Sequence, residues 1–149
     1  CSSDLFADDP MQVRGGWAMD ISELYAMAGV KPDDLDVVQT YDDYPVITMM
    51  QFEDLGFCNK GEGAAFVRQH DLTVDGDFPH NTSGGQLSAG QAGAAGAYLG
   101  LVEGLRQVLG EAGPTQVKDA RLALASGFGM INYDRGLASG AAIFAGPAR

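Results

Sequence analysis

Cysteine is nearly absent from this chain. Cys1 and Cys58 are the two in 149 residues, too few for a disulfide framework, and a reducing cytoplasm is the simpler expectation. Histidine is as scarce, with His70 and His80 alone. No Cys/His cluster has zinc-site spacing, so no metal is expected. Positive charge is in short supply: 9 Lys and Arg against 20 Asp and Glu leave a net charge of −11. That balance argues against nucleic acid and anionic membrane as partners. It still allows a phosphate-bearing ligand, because Arg14, Lys60, Arg68 or Arg135 can act against the global sign. Long apolar runs are missing too, none approaching the ~18–20 residues of a membrane span. The start, Cys1-Ser2-Ser3-Asp4, lacks the basic region and apolar core of a signal peptide. The chain also opens without methionine, so its first residue is expected not to be a natural start.

What is present is a chain of about one domain's length, with 46% hydrophobic residues, enough to bury most of its apolar surface. Residues 1–16 are polar and acidic and read as a loop. Trp17, Ile21, Leu24, Tyr25 and Ala28 share one face at helical spacing, with Gly29 placed to end the helix. Lys31-Pro32-Asp33-Asp34 is turn chemistry. Asp36–Thr40 reads as a short buried strand that leaves Tyr41, Asp42 and Asp43 at its C-terminal end, where open α/β sheets gather ligands. Val46–Leu55 reads as an apolar helix, Gly61–Val67 as a further element, and Asp71–Phe78 as a short strand or hairpin arm. Gly113-Pro114 breaks the chain, Arg121–Ser126 is a strand, Gly127–Gly136 a loop and Leu137–Ala145 a final strand. The mixed order makes the class α/β. Residues 1–30 are expected to lead into a domain spanning 31–149.

The stretch that looks built for chemistry is His80-Asn81-Thr82-Ser83-Gly84-Gly85-Gln86-Leu87-Ser88-Ala89-Gly90-Gln91. It runs into a helix expected over Ala92–Gly110, whose first half is crowded with Ala and Gly. Glycine costs roughly 1 kcal/mol against alanine in a helix, so its abundance implies a close neighbour. The loop's glycines can take positive φ, and its N–H groups suit a carbonyl or anionic ligand. A flexible turn before a packed helix is the plainer alternative.

Asn81-Thr82-Ser83-Gly84-Gly85 followed by Ser88-Ala89-Gly90-Gln91 resembles the Asn-x-x-Gly-Gly…Gly-His-Pro loop of the thiolase superfamily, nearest its lipid-transfer, sterol-carrier-type branch. Val37–Tyr44 resembles that branch's strand-end segment, and Glu53–Cys58 with Gly61-Glu62-Gly63 resembles the segment after it. The resemblance implies a thiolase-like fold, one α/β half with a mixed sheet and helices on its faces. It covers the C-terminal half alone, so a lone domain would expose faces that normally pack on a twin. An N-terminal thiolase half, a homodimer and an OB-fold/zinc-ribbon chain are the implied protein partners. Coenzyme A is implied as part of an acyl-CoA or steroid-CoA substrate, with no bound cofactor.

Three departures from the family bear on the reaction. The first half, which carries the acylated cysteine, is not in this sequence. Gln91 and Ala92 stand where histidine and proline would be, and Tyr133 or Asp134 stands where a late cysteine would align. Glutamine shuttles no proton but donates hydrogen bonds. The resemblance places Tyr41 beside the thioester carbonyl and Tyr133 in the late catalytic loop. Two phenols there would serve a retro-aldol cleavage as acid and base. Gln91 and the Ser83–Gly85 backbone would donate to the carbonyl or oxyanion, and His80 and Asp42 are further catalytic candidates. Asn81, Ser83, Gly84, Gly85, Tyr44 and Asp134 are the substrate-binding candidates. Strand-end packing is the alternative for Tyr41 and Tyr44, a turn aromatic for Tyr133, and a hydrogen-bonding loop residue for His80. Adjacent Asp42 and Asp43 point opposite ways in extended chain, and Asp43 is expected to cap the following helix. His70 is expected to be solvated and Cys58 a small buried residue. Ser83 and Ser88 have no triad partner in the sequence, against a serine hydrolase. The rival functions are an acyltransferase whose cysteine lies elsewhere and a silent acyl-CoA- or lipid-binding module.

Overall fold

The sequence folds locally much as its patterning dictates. The structure is a computed structural model that describes residues 14–90, 96, 98–132 and 135–147. Helix α1 (Trp17–Ala28) stops at Gly29, whose left-handed φ of 68° lets its N–H and that of Val30 close back on the last turn. Strand β1 (Val37–Gln39) is fully buried. Helices α2 (Pro45–Asp54), α3 (Gly63–Gln69), α4 (Gly85–Ala89) and α5 (Tyr98–Leu109) follow, then strands β2 (Leu122–Asn132) and β3 (Arg135–Ala145).

The strands form one mixed sheet in the order β1-β2-β3. Val38 lies opposite Leu124 in the parallel β1–β2 pair, and Leu124 opposite Ile143 in the antiparallel β2–β3 pair. Alternate residues of β1 feed opposite faces. Val38 joins Trp17, Tyr25, Leu55 and Leu124 under α1 and α2. Val37 joins Val108, Val117, Ala120 and Ala123 under α5. The α5 glycines explain themselves here: a Cβ on Gly100 would stand 3.2 Å from the Gln39 Cβ, and one on Gly104 3.6 Å from the Ala123 Cβ. The α/β class is as the sequence predicts. Among the described residues, no helix is long and apolar enough to cross a membrane.

Two sequence expectations fail. Gly127–Asn132 and Arg135–Gly136, expected in a loop, are strand, because β2 and β3 pair from Leu122↔Ala145 to Asn132↔Arg135, and the ladder satisfies the backbone that a loop would leave to water. Asp71–Phe78 is not a strand but a set of turns. Its own carboxylates take the donors a ladder needs: Asp71 N–H donates to Asp77 Oδ1 (2.6 Å) and Thr73 N–H to Asp71 Oδ1 (3.0 Å). Beyond β1 the sheet is continued by a bridge from Val38 to His80. The stretch read as one loop before α5 contains the short α4, and the part of the expected helix before Tyr98 falls largely outside the described residues.

Candidate active site

The site grows from the C-terminal end of β1, which three neighbours hold in place. Gln51, fully buried on α2, accepts the Tyr41 N–H (3.1 Å) and the Ser126 hydroxyl (2.7 Å), and donates to Tyr41 O (2.7 Å). Asn81, at φ 44°, clasps Thr40 from the other side: its Oδ1 accepts Thr40 N–H (2.8 Å) and its Nδ2 donates to Thr40 O (3.2 Å). The Asp42 carboxylate accepts Gln86 N–H (2.7 Å), tying α4 to the same strand end. Gly85 is required by that tie, since φ is 62° and any Cβ would overlap the Asp42 carboxylate.

Behind the loop lies a buried polar cluster. Thr82 donates to Glu103 Oε1 (2.7 Å) and accepts from Gln39 and Gln107, while Arg106 pairs with Glu103 at 3.1 Å. Glu103 is 2% exposed, so these partners are what makes its burial tolerable.

Tyr41 is 7% exposed and turns its ring to Phe128, at 5.6 Å between centroids. Its hydroxyl donates to Asp43 Oδ2 at 2.7 Å. Burial first, and then the Asp43 carboxylate, hold the phenol well above the ordinary tyrosine range. It is therefore a neutral donor at neutral pH. Asp43 does not cap α2 as expected; the cap position is Tyr44, with no side-chain bond to the helix N-terminus. The phenol has claimed the carboxylate instead.

Asp42, Asn81 and His80 come together along a second surface, an apolar cleft of about 270 Å³ walled also by Phe52, Leu72 and Leu87. Tyr41 is not part of that lining. His80 Nε2 is 2.8 Å from the Thr40 hydroxyl and its ring sits edge-on to Phe52. Burial lowers its pKa to about 4, so it is neutral at pH 7. An unfolded histidine titrates near ~6.5, so folding favours the neutral form, and this contribution is complete above that pH. It is lost as pH falls toward 4, by about 3 kcal/mol. Urea midpoints measured from pH 7 to 4 should drop more steeply for the native protein than for His80→Asn; equal slopes would contradict this placement.

The remaining candidates divide. Ser83 and Tyr44 are exposed, Tyr44 at 56%. The Gly84 N–H, expected to face a substrate carbonyl, bonds Asn81 O at 2.7 Å. Tyr133, Asp134 and Gln91 lie outside the described residues. Cys58 is partly buried, and burial with Glu53 and Glu62 pushes its thiol up to about 11, far from a nucleophile's range. His70 is partly exposed and pairs with Asp77 at 2.8 Å. Among the described residues no cluster of His, Cys, Asp and Glu has a metal-holding arrangement.

The sequence gives no direct sign of the Gln51 clamp, of the Tyr41–Asp43 bond or of the Glu103–Gln107 pair as such. Gln51 was detectable as a lone amide inside the apolar run Met49–Phe52. Glu103 and Gln107 share the face that carries Gly100 and Gly104, a sign that the polar pair faces inward.

Residues 11–138 match the thiolase C-terminal domain-like family. The chain is 41% identical over 88 residues to 17-hydroxy-3-oxo-4-pregnene-20-carboxyl-CoA lyase of Mycobacterium tuberculosis, covering 59% of this chain and 22% of that protein. It is 35% identical over 106 residues to sterol carrier protein 2 of Oryctolagus cuniculus, covering 71% of this chain and 19% of that one. Among solved structures, the Ltp2-ChsH2(DUF35) aldolase superposes with a TM-score of 0.66 at 33% identity, over 74% of this chain and 28% of that one. The chain thus spans about a fifth of the length of these curated relatives.

Proposed function

The chain belongs to the thiolase family as a C-terminal domain-like unit, and from that premise we propose that it is half of a lipid-transfer-type enzyme that splits an acyl-CoA or steroid-CoA thioester by a retro-aldol step. The observation that carries this reading is the Tyr41 phenol, held neutral at the strand end that the family resemblance puts beside the thioester carbonyl, bonded to a carboxylate and with no thiol in its place. In such a step the β-hydroxyl gives up its proton and becomes a carbonyl as the Cα–Cβ bond breaks. The Cα–Cβ electron pair becomes the thioester enolate, which hydrogen-bond donors steady until it is protonated. Tyr133 is the proposed second phenol and Gln91 a proposed donor to the enolate oxygen. The apolar cleft beside Asp42 and His80 suits a hydrocarbon body. The sequence similarity to a CoA-thioester lyase supports the same reading.

An acyltransferase of this fold would need a thiolate from another segment. Iodoacetamide applied to the complete assembly separates the two: turnover should be unchanged, and its loss would favour the acyltransferase.

A companion half is proposed from one face of α5. Tyr98, Val102, Leu105 and Leu109 fall at helical spacing and are all exposed, Tyr98 at 62% and Leu109 at 54%. This stripe lies opposite the buried Glu103, Gly104, Gln107 and Val108. Val102→Glu with Leu105→Glu should weaken the packing of this domain against its N-terminal-type half, read as a lower Tm of the complete assembly. An unchanged Tm would place that interface elsewhere.

A further inference from the structure

The aldolase reading leaves a difficulty at Tyr41, because a phenol that stays protonated cannot by itself accept a proton. The structure carries a way round it. The Tyr41 hydroxyl points at Asp43 Oδ2, 2.7 Å away, and Asp43 is partly exposed where Tyr41 is buried. We infer that Asp43 is a positioning residue and proton relay for Tyr41: it orients the phenol and takes its proton as Tyr41 accepts another from the substrate. This rests on the retro-aldol reading and extends it to a residue of the strand-end segment to which the resemblance assigns no role.

The step balances without a free phenolate. The substrate's β-hydroxyl proton passes to Tyr41 Oη while the phenolic proton passes to Asp43 Oδ2. The C–O bond becomes C=O, the Cα–Cβ bond breaks, and its electron pair enters the thioester enolate. No oxidant or reductant is required. Water then takes the proton from Asp43.

The surroundings fit a relay. Asp42 and Tyr44 are the other titratable groups acting on the Tyr41 phenol. Helix α2 meets Tyr41 through Gln51 and Thr48, and β2 through Phe128, none of them charged. Gln51 and Thr48 bond the Tyr41 backbone, which leaves the hydroxyl to Asp43.

The test uses the complete assembly with a β-hydroxyacyl-CoA, comparing wild type, Asp43→Asn, Asp43→Glu and Tyr41→Phe. Asp43→Asn keeps an acceptor oxygen but removes the proton store. It should lower cleavage by about 10²-fold with little change in KM, and Asp43→Glu should restore part of the rate. Adding Asp43→Asn to Tyr41→Phe should cost nothing more, because the two act in series. Alkaline ultraviolet titration, with Tyr41→Phe identifying the band, should show Tyr41 ionising at lower pH in Asp43→Asn. Wild-type rates in Asp43→Asn beside an active wild type, or an unmoved Tyr41 ionisation, would overturn the relay alone. A wild-type assembly that makes no retro-aldol product would remove the aldolase reading itself.

Discussion

Replacing Tyr41 by phenylalanine should lower carbon–carbon cleavage by about 10³-fold while leaving CoA-thioester affinity within a factor of about three. The variant keeps the ring that packs on Phe128 and keeps every bond that Gln51 and Thr48 make to residue 41, since those go to its backbone. It removes one oxygen. The Asp43 carboxylate loses a partner but is partly exposed, so water replaces the phenol at small cost and the fold should persist. Rate and affinity therefore separate, and they separate only if the oxygen acts on the reacting atoms. Tyr133→Phe should behave the same way if that phenol is the second of the pair. Single-turnover rates by rapid quench, with thioester binding by calorimetry, check both. A Tyr41→Phe enzyme with wild-type turnover would show that the residue only packs.

Gln51→Leu should be the most damaging substitution for stability, at about 3–5 kcal/mol. The side chain is fully buried and makes bonds to Tyr41 N–H, Tyr41 O, Ile47 O and the Ser126 hydroxyl. Leucine is close in volume, so the loss is not a cavity. It strands buried polar groups that water cannot reach, each costing roughly 1–3 kcal/mol. Ser126→Ala in the same background should recover a fraction, because it removes one stranded hydroxyl. Chemical denaturation with a fitted slope measures this. A loss under about 1 kcal/mol would mean that the strand end relaxes and does not depend on the clamp.

The α1 helix was legible because Trp17, Ile21 and Tyr25 recur at helical spacing and Gly29 ends it. Strand β1 was legible because the β-branched pair Val37-Val38 follows a turn. Both signals are local. The length of β2 and β3 was not legible, because glycine-rich chain from Gly127 onward looks like a loop until a partner strand supplies the ladder. Asp71–Phe78 failed for the opposite reason, since its alternating pattern is local but its carboxylates compete for the backbone. At the site, Tyr41 and Asp42 could be placed at a strand end from sequence. That Asp43 would hold the phenol instead of capping α2 could not, because both are short-range options for one carboxylate and only the fold decides between them. Gln51 acts across sequence separations of 10 and 75 residues, which no local pattern encodes.

Cleavage without sulfur chemistry is tested by one incubation. The complete assembly is given a β-hydroxyacyl-CoA with no free coenzyme A, and the products are followed by mass spectrometry. The expected result is a carbonyl compound and a shortened acyl-CoA in equal amounts. No carbonyl product from the β-hydroxyacyl-CoA, with a β-ketoacyl-CoA split into two thioesters once free coenzyme A is added, would contradict it.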